Sequence, residues 1–147
     1  MAGLDIFAIT NELGKMLAVA RVKKIYQKGL TIYILLSREA NYTLVIGPNK
    51  IYLTTYKEKF PIEPPDFCMR LRKSLSGAKF EGIKQHGFDR IAEIKFLRQK
   101  NSETRYLVAE LFANGNIILL NENREIIVPL KREEWKARTI REKLPYN

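Results

Sequence analysis

The 147 residues contain one cysteine and one histidine. The lone thiol, Cys68, closes no intramolecular disulfide and forms no CxxC pair, which excludes a disulfide scaffold and points to a reducing compartment. With His86 alone, the chain assembles neither a histidine triad nor a histidine-based zinc cluster. It also lacks GxGxxG, HExxH, GxSxG and the GxxxxGK loop, so the chemistries those motifs serve are excluded. Apolar runs such as Ile32–Leu36 are far shorter than the ~18 residues of a membrane helix. The opening Met-Ala-Gly-Leu-Asp-Ile-Phe has neither the basic region nor the apolar stretch of a secretory signal. A cytoplasmic chain without a membrane is expected.

Acidic residues are scarce. Sixteen Asp and Glu stand against 26 Lys and Arg, a net charge of +10 and a pI of 9.8. At 46% hydrophobic and 29% charged, the composition is that of a globular domain, not of a disordered or fibrous chain. That charge on one domain asks for a polyanionic partner or an acidic membrane surface.

Leu4, Ile6, Ile9, Leu13 and Leu17 recur near helical spacing, so Asp5–Leu17 reads as a helix. Arg21–Gln27 and Leu30–Ser37 read as strands joined across Lys28-Gly29. Tyr42–Ile46 and Ile51–Thr55 form a second pair. After Pro61, Pro64 and Pro65, a second helix runs from Asp66 to Ser74. Lys79–His86, Arg90–Leu97, Tyr106–Phe112, Asn116–Asn121 and Glu125–Leu130 read as strands, with Asn114-Gly115 a hairpin turn signal.

The order repeats. A shift of 58 residues sets Leu13 on Leu71, Leu17 on Leu75, Arg21 on Lys79, Ile25 on Ile83, Gln27 on Gln85 and Gly29 on Gly87. The hairpin Leu44–Leu53 resembles Leu111–Leu120 at a shift of 67. One half alone would expose an apolar sheet face; two halves cover each other. The expected fold is α+β, a two-layer antiparallel β-sandwich or flattened barrel with two main helices and internal pseudo-symmetry.

The repeat singles out Asp89-Arg90, which the 58-residue shift places where the first half has Thr31-Ile32. Alternation puts Arg90 in line with Ala92, Ile94 and Phe96 on a core-facing row. A guanidinium there needs a partner, and Asp5 at the head of the first helix is a candidate. The alternative role is a structural salt bridge. Lys23, Lys24, Arg70, Arg72 and Lys73, with Tyr26, Tyr33, Tyr52 and Tyr56 interleaved, suit phosphate neutralisation and base stacking, or form a merely solvated face. Cys68 reads as a small core residue, His86 as a satisfied loop imidazole, and Trp135 as an anchor for the tail. No metal, cofactor or catalytic group is expected.

Leu4-Asp5, Pro64-Pro65-Asp66-Phe67, Leu71-Arg72-Lys73, Gln85, Asp89-Arg90, Glu110-Leu111 and Gly115-Asn116-Ile117-Ile118-Leu119 occur in the order of the NFACT N-terminal domain, archaeal type. The resemblance covers nearly the full length. It implies an excised domain: residues 1–130 as the NFACT-like body, and 131–147 as a charged C-terminal tail leading to a missing helix-hairpin-helix region. It also implies a fold similar to the N-terminal domain of formamidopyrimidine-DNA glycosylases, whose catalytic Pro-Glu is replaced here by Ala2-Gly3. By the resemblance, the domain belongs to a ribosome quality control factor. Such a factor binds stalled large ribosomal subunits, and hence rRNA, and recruits tRNA for C-terminal tailing of nascent chains. Asp5, Asp89 and Arg90 would engage tRNA, Lys23, Lys24, Arg70, Arg72 and Lys73 the RNA backbone, and the other domains of the full-length protein would be further partners. The alternatives are a non-catalytic nucleic-acid-binding module outside the ribosome and a protein-interaction or adhesion module.

Overall fold

A computed structural model describes residues 3–55, 60, 63–87, 89–112, 115–135 and 138–146; the side chains of residues 3–6 and of Trp135 lie outside that description. The first half is α1 (Gly3–Met16), β1 (Arg21–Lys28), β2 (Thr31–Ser37), β3 (Asn41–Gly47) and β4 (Lys50–Thr54). The second is α2 (Asp66–Leu75), β5 (Lys79–Gln85), β6 (Ile91–Leu97), β7 (Thr104–Glu110) and β8 (Asn116–Leu120). β9 (Ile126–Pro129), β10 (Glu133–Trp135) and β11 (Arg138–Ile140) follow. Among the described residues no helix is long and apolar enough to cross a membrane.

The expected α+β fold is present, but the sheet does not close into a barrel. Nine antiparallel strands form one sheet in the order β4-β3-β2-β1-β5-β6-β7-β8-β9. Alternation decides which face is inside: Ile32, Ile34 and Leu36 on β2 and Ala92, Ile94 and Phe96 on β6 are all buried in one core. The sheet curls so that its two wings face each other. A Cβ on Gly115 of the second half would lie 2.7 Å from the Pro48 carbonyl oxygen of the first, so only glycine fits there.

The repeat is visible in backbone hydrogen bonds. Val22 N–H donates to the Ala78 carbonyl at 2.9 Å, and Phe80 N–H to the Ala20 carbonyl at 2.7 Å. Arg21 faces Lys79 between them. Each residue is 58 positions from its counterpart, which makes this crossing a local two-fold axis. β-Bulges fall at matching places, between Val22 and Lys24 and between Phe80 and Gly82. Bulges bend and twist a strand, and here they curl both wings alike. The helices are exchanged: α1 packs on β5, β6 and β4, and α2 on β1 and β9. Each helix therefore covers strands of the other half.

The halves differ at one hairpin, and this corrects the placement of Arg90. Ile25 pairs with Ile34 and Ile83 with Ile94, so the second strands are related by 60 residues, not 58. The β5–β6 tip holds two residues more than the β1–β2 tip. Ile32 therefore corresponds to Ala92, and Arg90 to Leu30 in the turn. Arg90 precedes β6 and is exposed rather than core-facing, so its charge needs no buried partner. The charged segment from 131 onward folds back on the outer face of β7 and β8. Ile140 and Tyr146 pack there with Val108, Ile118, Leu120 and Ile126.

Each helix ends in a left-handed residue, Val19 (φ 59°) after α1 and Gly77 (φ 77°) after α2. A β-branched side chain is strained in that region, and Val19 is 53% exposed, so it recovers little packing. Val19→Asn is expected to stabilise by about 0.5–1 kcal/mol and raise Tm by about 1–4 °C. Gly77→Ala is expected to destabilise by about 1 kcal/mol, its new methyl lying 3.1 Å from Gln99 Oε1. Thermal melts of both variants check this; shifts of the same sign would contradict the equivalence of the two turns.

Candidate nucleic-acid interface

The tip between β5 and β6 carries Asp89 and Arg90. Its backbone is fixed at several points. Gln85 Nε2 donates to the Asp89 carbonyl at 2.7 Å, Asp89 N–H to the His86 carbonyl at 3.0 Å, and Leu111 N–H to the Arg90 carbonyl at 2.7 Å. Both side chains are exposed, and no hydrogen bond or ion pair ties either one among the described residues. In the first half Gln27 Nε2 braces Gly29 in the same way, at 2.9 Å, but that tip is too short to present a comparable pair. The backbone of Asp5 lies in the first turn of α1; its side chain is outside the described residues, and so is its proposed pairing with Arg90.

Two buried carboxylates on the outer sheet face support this tip. Glu93 is 2% exposed and accepts from Arg124 Nη2 at 2.7 Å and from His86 Nε2 at 3.0 Å, with Lys84 Nζ at 3.8 Å. His86 is thus the satisfied imidazole expected, and it starts the tip. Burial opposes ionisation of Glu93, but the bonds from Arg124 and His86 outweigh it and hold the carboxyl below its ordinary range. Glu110 is 1% exposed and accepts from both terminal nitrogens of Arg138 and from Tyr146 Oη, each at 2.7 Å. Burial and the bond to Glu110 push the Tyr146 phenol well up. Glu110 directly precedes Leu111, which holds the Arg90 carbonyl. The C-terminal hairpin therefore buttresses the tip through Arg138.

The expected basic face assembles on β1 and α2. The bulge at Val22–Lys24 leaves consecutive residues Lys23 and Lys24 both exposed. Tyr26 stacks on Phe60 at 4.2 Å with the rings 4° from parallel. Lys24 Nζ and the Arg72 guanidinium each lie 5.4 Å from the Tyr26 ring. Arg72 Nε also donates to the Ile25 carbonyl at 2.7 Å, beside the Cys68 thiol at 3.3 Å. Burial pushes that thiol's pKa up, as suits the expected core residue. Arg70 and Lys73 lie on the other side of α2, where Arg70 Nη2 donates to the Ile127 carbonyl at 3.1 Å. Tyr56 and Trp135 fall outside the described residues and described side chains respectively. Among the described residues no three His, Cys, Asp or Glu side chains converge as metal ligands.

Glu93, Glu110, Arg124 and Arg138 escape sequence reasoning. Their signal is faint: Glu110 interrupts the otherwise apolar run Leu107–Leu111, and Glu93 stands between the apolar Ala92 and Ile94, a pattern that demands buried partners from elsewhere.

The fold and this face define a duplicated α+β domain with an exposed Asp-Arg tip and a basic, aromatic-bearing flank. The chain belongs to the NFACT N-terminal domain family: the model described as NFACT N-terminal and middle domains matches residues 2–147. It is 36% identical to the archaeal Rqc2 homolog aRqcH of Methanocaldococcus jannaschii, over 99% of this chain and 23% of that protein. It is 32% identical to the Rqc2 homolog RqcH of Bacillus subtilis, over 86% of this chain and 24% of that one. The chain thus spans about a quarter of the length of these relatives. Among solved structures, the N-terminal part of the fibronectin/fibrinogen-binding protein of Streptococcus suis superposes with a TM-score of 0.94 at 27% identity, over 100% of this chain and 60% of that one. The fibrinogen-binding protein of Staphylococcus aureus superposes at 0.83 with 30% identity, over 99% and 55%.

A carboxyl whose pKa is lowered on folding adds stability above its unfolded value of 4.5, and that stability is lost as pH falls through the folded value. Glu93→Gln is expected to destabilise by roughly 1–2 kcal/mol at pH 7, because it weakens the charge-assisted bonds from Arg124, whose side chain stays 41% exposed, and from His86. Denaturant titrations from pH 7 down to pH 3 should show the gap from wild type constant near neutrality and closing below pH 4.5. A gap independent of pH would contradict an ionised Glu93.

Proposed function

We propose that this chain acts as the N-terminal tRNA- and ribosome-binding domain of a ribosome quality control factor. The factor would bind stalled large subunits and recruit tRNA for C-terminal tailing of the nascent chain. The observation that carries the reading is the braced tip: a fixed backbone presenting an exposed carboxylate and an exposed guanidinium. Arg90 has the fork geometry for bidentate contact with a phosphate or a base edge, and Asp89 beside it accepts from a base amine or a ribose hydroxyl. Asp5 is assigned to the same contact. Lys23, Lys24, Arg70, Arg72 and Lys73 neutralise the backbone, with Tyr26 and Phe60 offering a stacking surface. The ribosome performs peptide transfer; the domain positions its substrate and catalyses nothing. Its place is cytoplasmic, with rRNA, tRNA and the remaining domains of the longer protein as partners. A second reading, a protein-interaction role, is favoured by the names of the streptococcal and staphylococcal structures.

In the full-length protein, Arg90→Ala is expected to keep the wild-type melting temperature and lose at least tenfold in tRNA affinity and in tail synthesis. Normal tailing by this variant would remove the tip from the functional site. Tight binding to fibrinogen with none to tRNA would favour the second reading.

The flank acts differently. Replacing Lys23 and Lys24 together should weaken all RNAs alike. It should lower the log–log salt slope of binding by roughly 0.7 per lost single-strand contact. An unchanged slope would show that these lysines face solvent only.

A further inference from the structure

A cavity of about 370 Å³ opens on the far side of α2 from Tyr26, lined by Arg70, Lys73, Ser74, Arg98, Arg105 and Asn121. Arg105 lies in the core-facing row of β7 with Leu107 and Ala109, opposite Phe96. The first half has Tyr42 at the corresponding place, opposite Leu36. The duplicated scaffold therefore forms without an arginine here. The Arg105 side chain is 10% exposed. Its Nη1 donates to the Thr104 carbonyl at 3.0 Å and its Nη2 to Glu103 Oε2 at 2.7 Å, while its buried Nε–H has no acceptor among the described residues. An unsatisfied buried donor is costly, and a site that gains an acceptor only when loaded removes that cost.

The charge around it is one-sided. Glu103 serves both Arg105 and Arg98, the latter at 3.6 Å, and Glu142 stands 3.9 Å from Arg70. Lys73 is exposed and has no hydrogen bond or ion pair among the described residues. Arg70, Lys73, Arg98 and Arg105 thus stand beside two carboxylates, of which Glu142 is held mainly by Arg132 at 2.7 Å, and the Ser74 hydroxyl adds a neutral donor. We propose that this cavity is a phosphate-binding site. It is separate from the Asp89-Arg90 tip, at the opposite end of β6 and roughly 20 Å away by strand length. Several donors converging on one small volume suit a tetrahedral oxyanion, and two arginine forks supply paired N–H groups for its oxygens. The inference shares Arg70 and Lys73 with the proposed RNA flank and is independent of the tip.

The test is a titration of the isotope-labelled 147-residue chain with inorganic phosphate, at ionic strength matched with sodium chloride. The Nε–H resonances of Arg105 and Arg98 are followed. A saturable shift at Arg105 is expected, weakened about tenfold by Lys73→Gln, an exposed substitution that spares the core. Arg90→Ala should leave it unchanged, so a failed tip and a failed cavity give different results. Adenosine monophosphate and a 5′-hydroxyl oligouridylate identify the source. Tighter binding of the oligomer assigns a backbone phosphodiester, tighter binding of the monophosphate a nucleotide, and neither being tighter assigns free phosphate. No saturable shift, or an equal shift in Lys73→Gln, overturns the proposal.

Discussion

The fold depends on the crossing of β1 and β5. One residue pair in register and four backbone hydrogen bonds, two in each direction, join the wings of a nine-stranded sheet. Such a short junction is weak by itself, since a backbone hydrogen bond contributes only about 1 kcal/mol net. The helix exchange makes it strong. α1 covers strands of the second half and α2 covers β1, so parting the wings would strip both helices from the core. Leu17, Leu71, Leu75, Phe80 and Phe96 meet around this junction without solvent exposure beyond 1%. The large-residue packing there, rather than the ladder, holds the two halves at a fixed angle.

A duplicated scaffold also separates structure from function. Where the halves agree, the residues serve the fold: the bulges, the left-handed turns and the glutamines beneath the hairpin tips. Where they differ, the scaffold does not require the difference. Asp89 lies in the two-residue extension of one tip with Arg90 following it where the other half has Leu30, and Arg105 replaces a tyrosine of the other half. Both departures place a guanidinium at an end of β6, one in solvent and one at the mouth of a cavity. The buried carboxylates Glu93 and Glu110 take up Arg124 and Arg138, so these two arginines serve the fold. Among the described residues the exposed Lys23, Lys24, Lys73 and Arg90 carry no ion pair and stand available to a polyanion.

Much of this was legible in the sequence. The 58-residue shift located both helices, the central strands and the inward rows, because a period-two burial pattern survives in each half. The shift failed where the chain length changes inside a turn. Two added residues preserve strand parity, so the alternation of Ala92, Ile94 and Phe96 was read correctly while Arg90 was carried inward with them. The same reasoning, a charge at the mouth of an apolar row, fits Arg105, but the longer loop at Gln99–Glu103 hid its alignment with Tyr42. The curl of the sheet left no local mark beyond Gly115. The arginine partners of Glu93 and Glu110 lie far along the chain, Arg124 31 positions and Arg138 28 positions away, beyond the reach of any local pattern.

The central claim is that the braced tip and the basic flank form one RNA-binding face of a ribosome quality control factor. The most direct measurement is ultraviolet crosslinking in cells of the full-length protein, with sequencing of the bound RNA and mass spectrometry of the crosslinked peptides. The account predicts tRNA and large-subunit rRNA among the reads, and crosslinks within the tip at 86–91 and the flank formed by β1 and α2. Reads dispersed over messenger RNAs, or crosslinks absent from both segments, would contradict it.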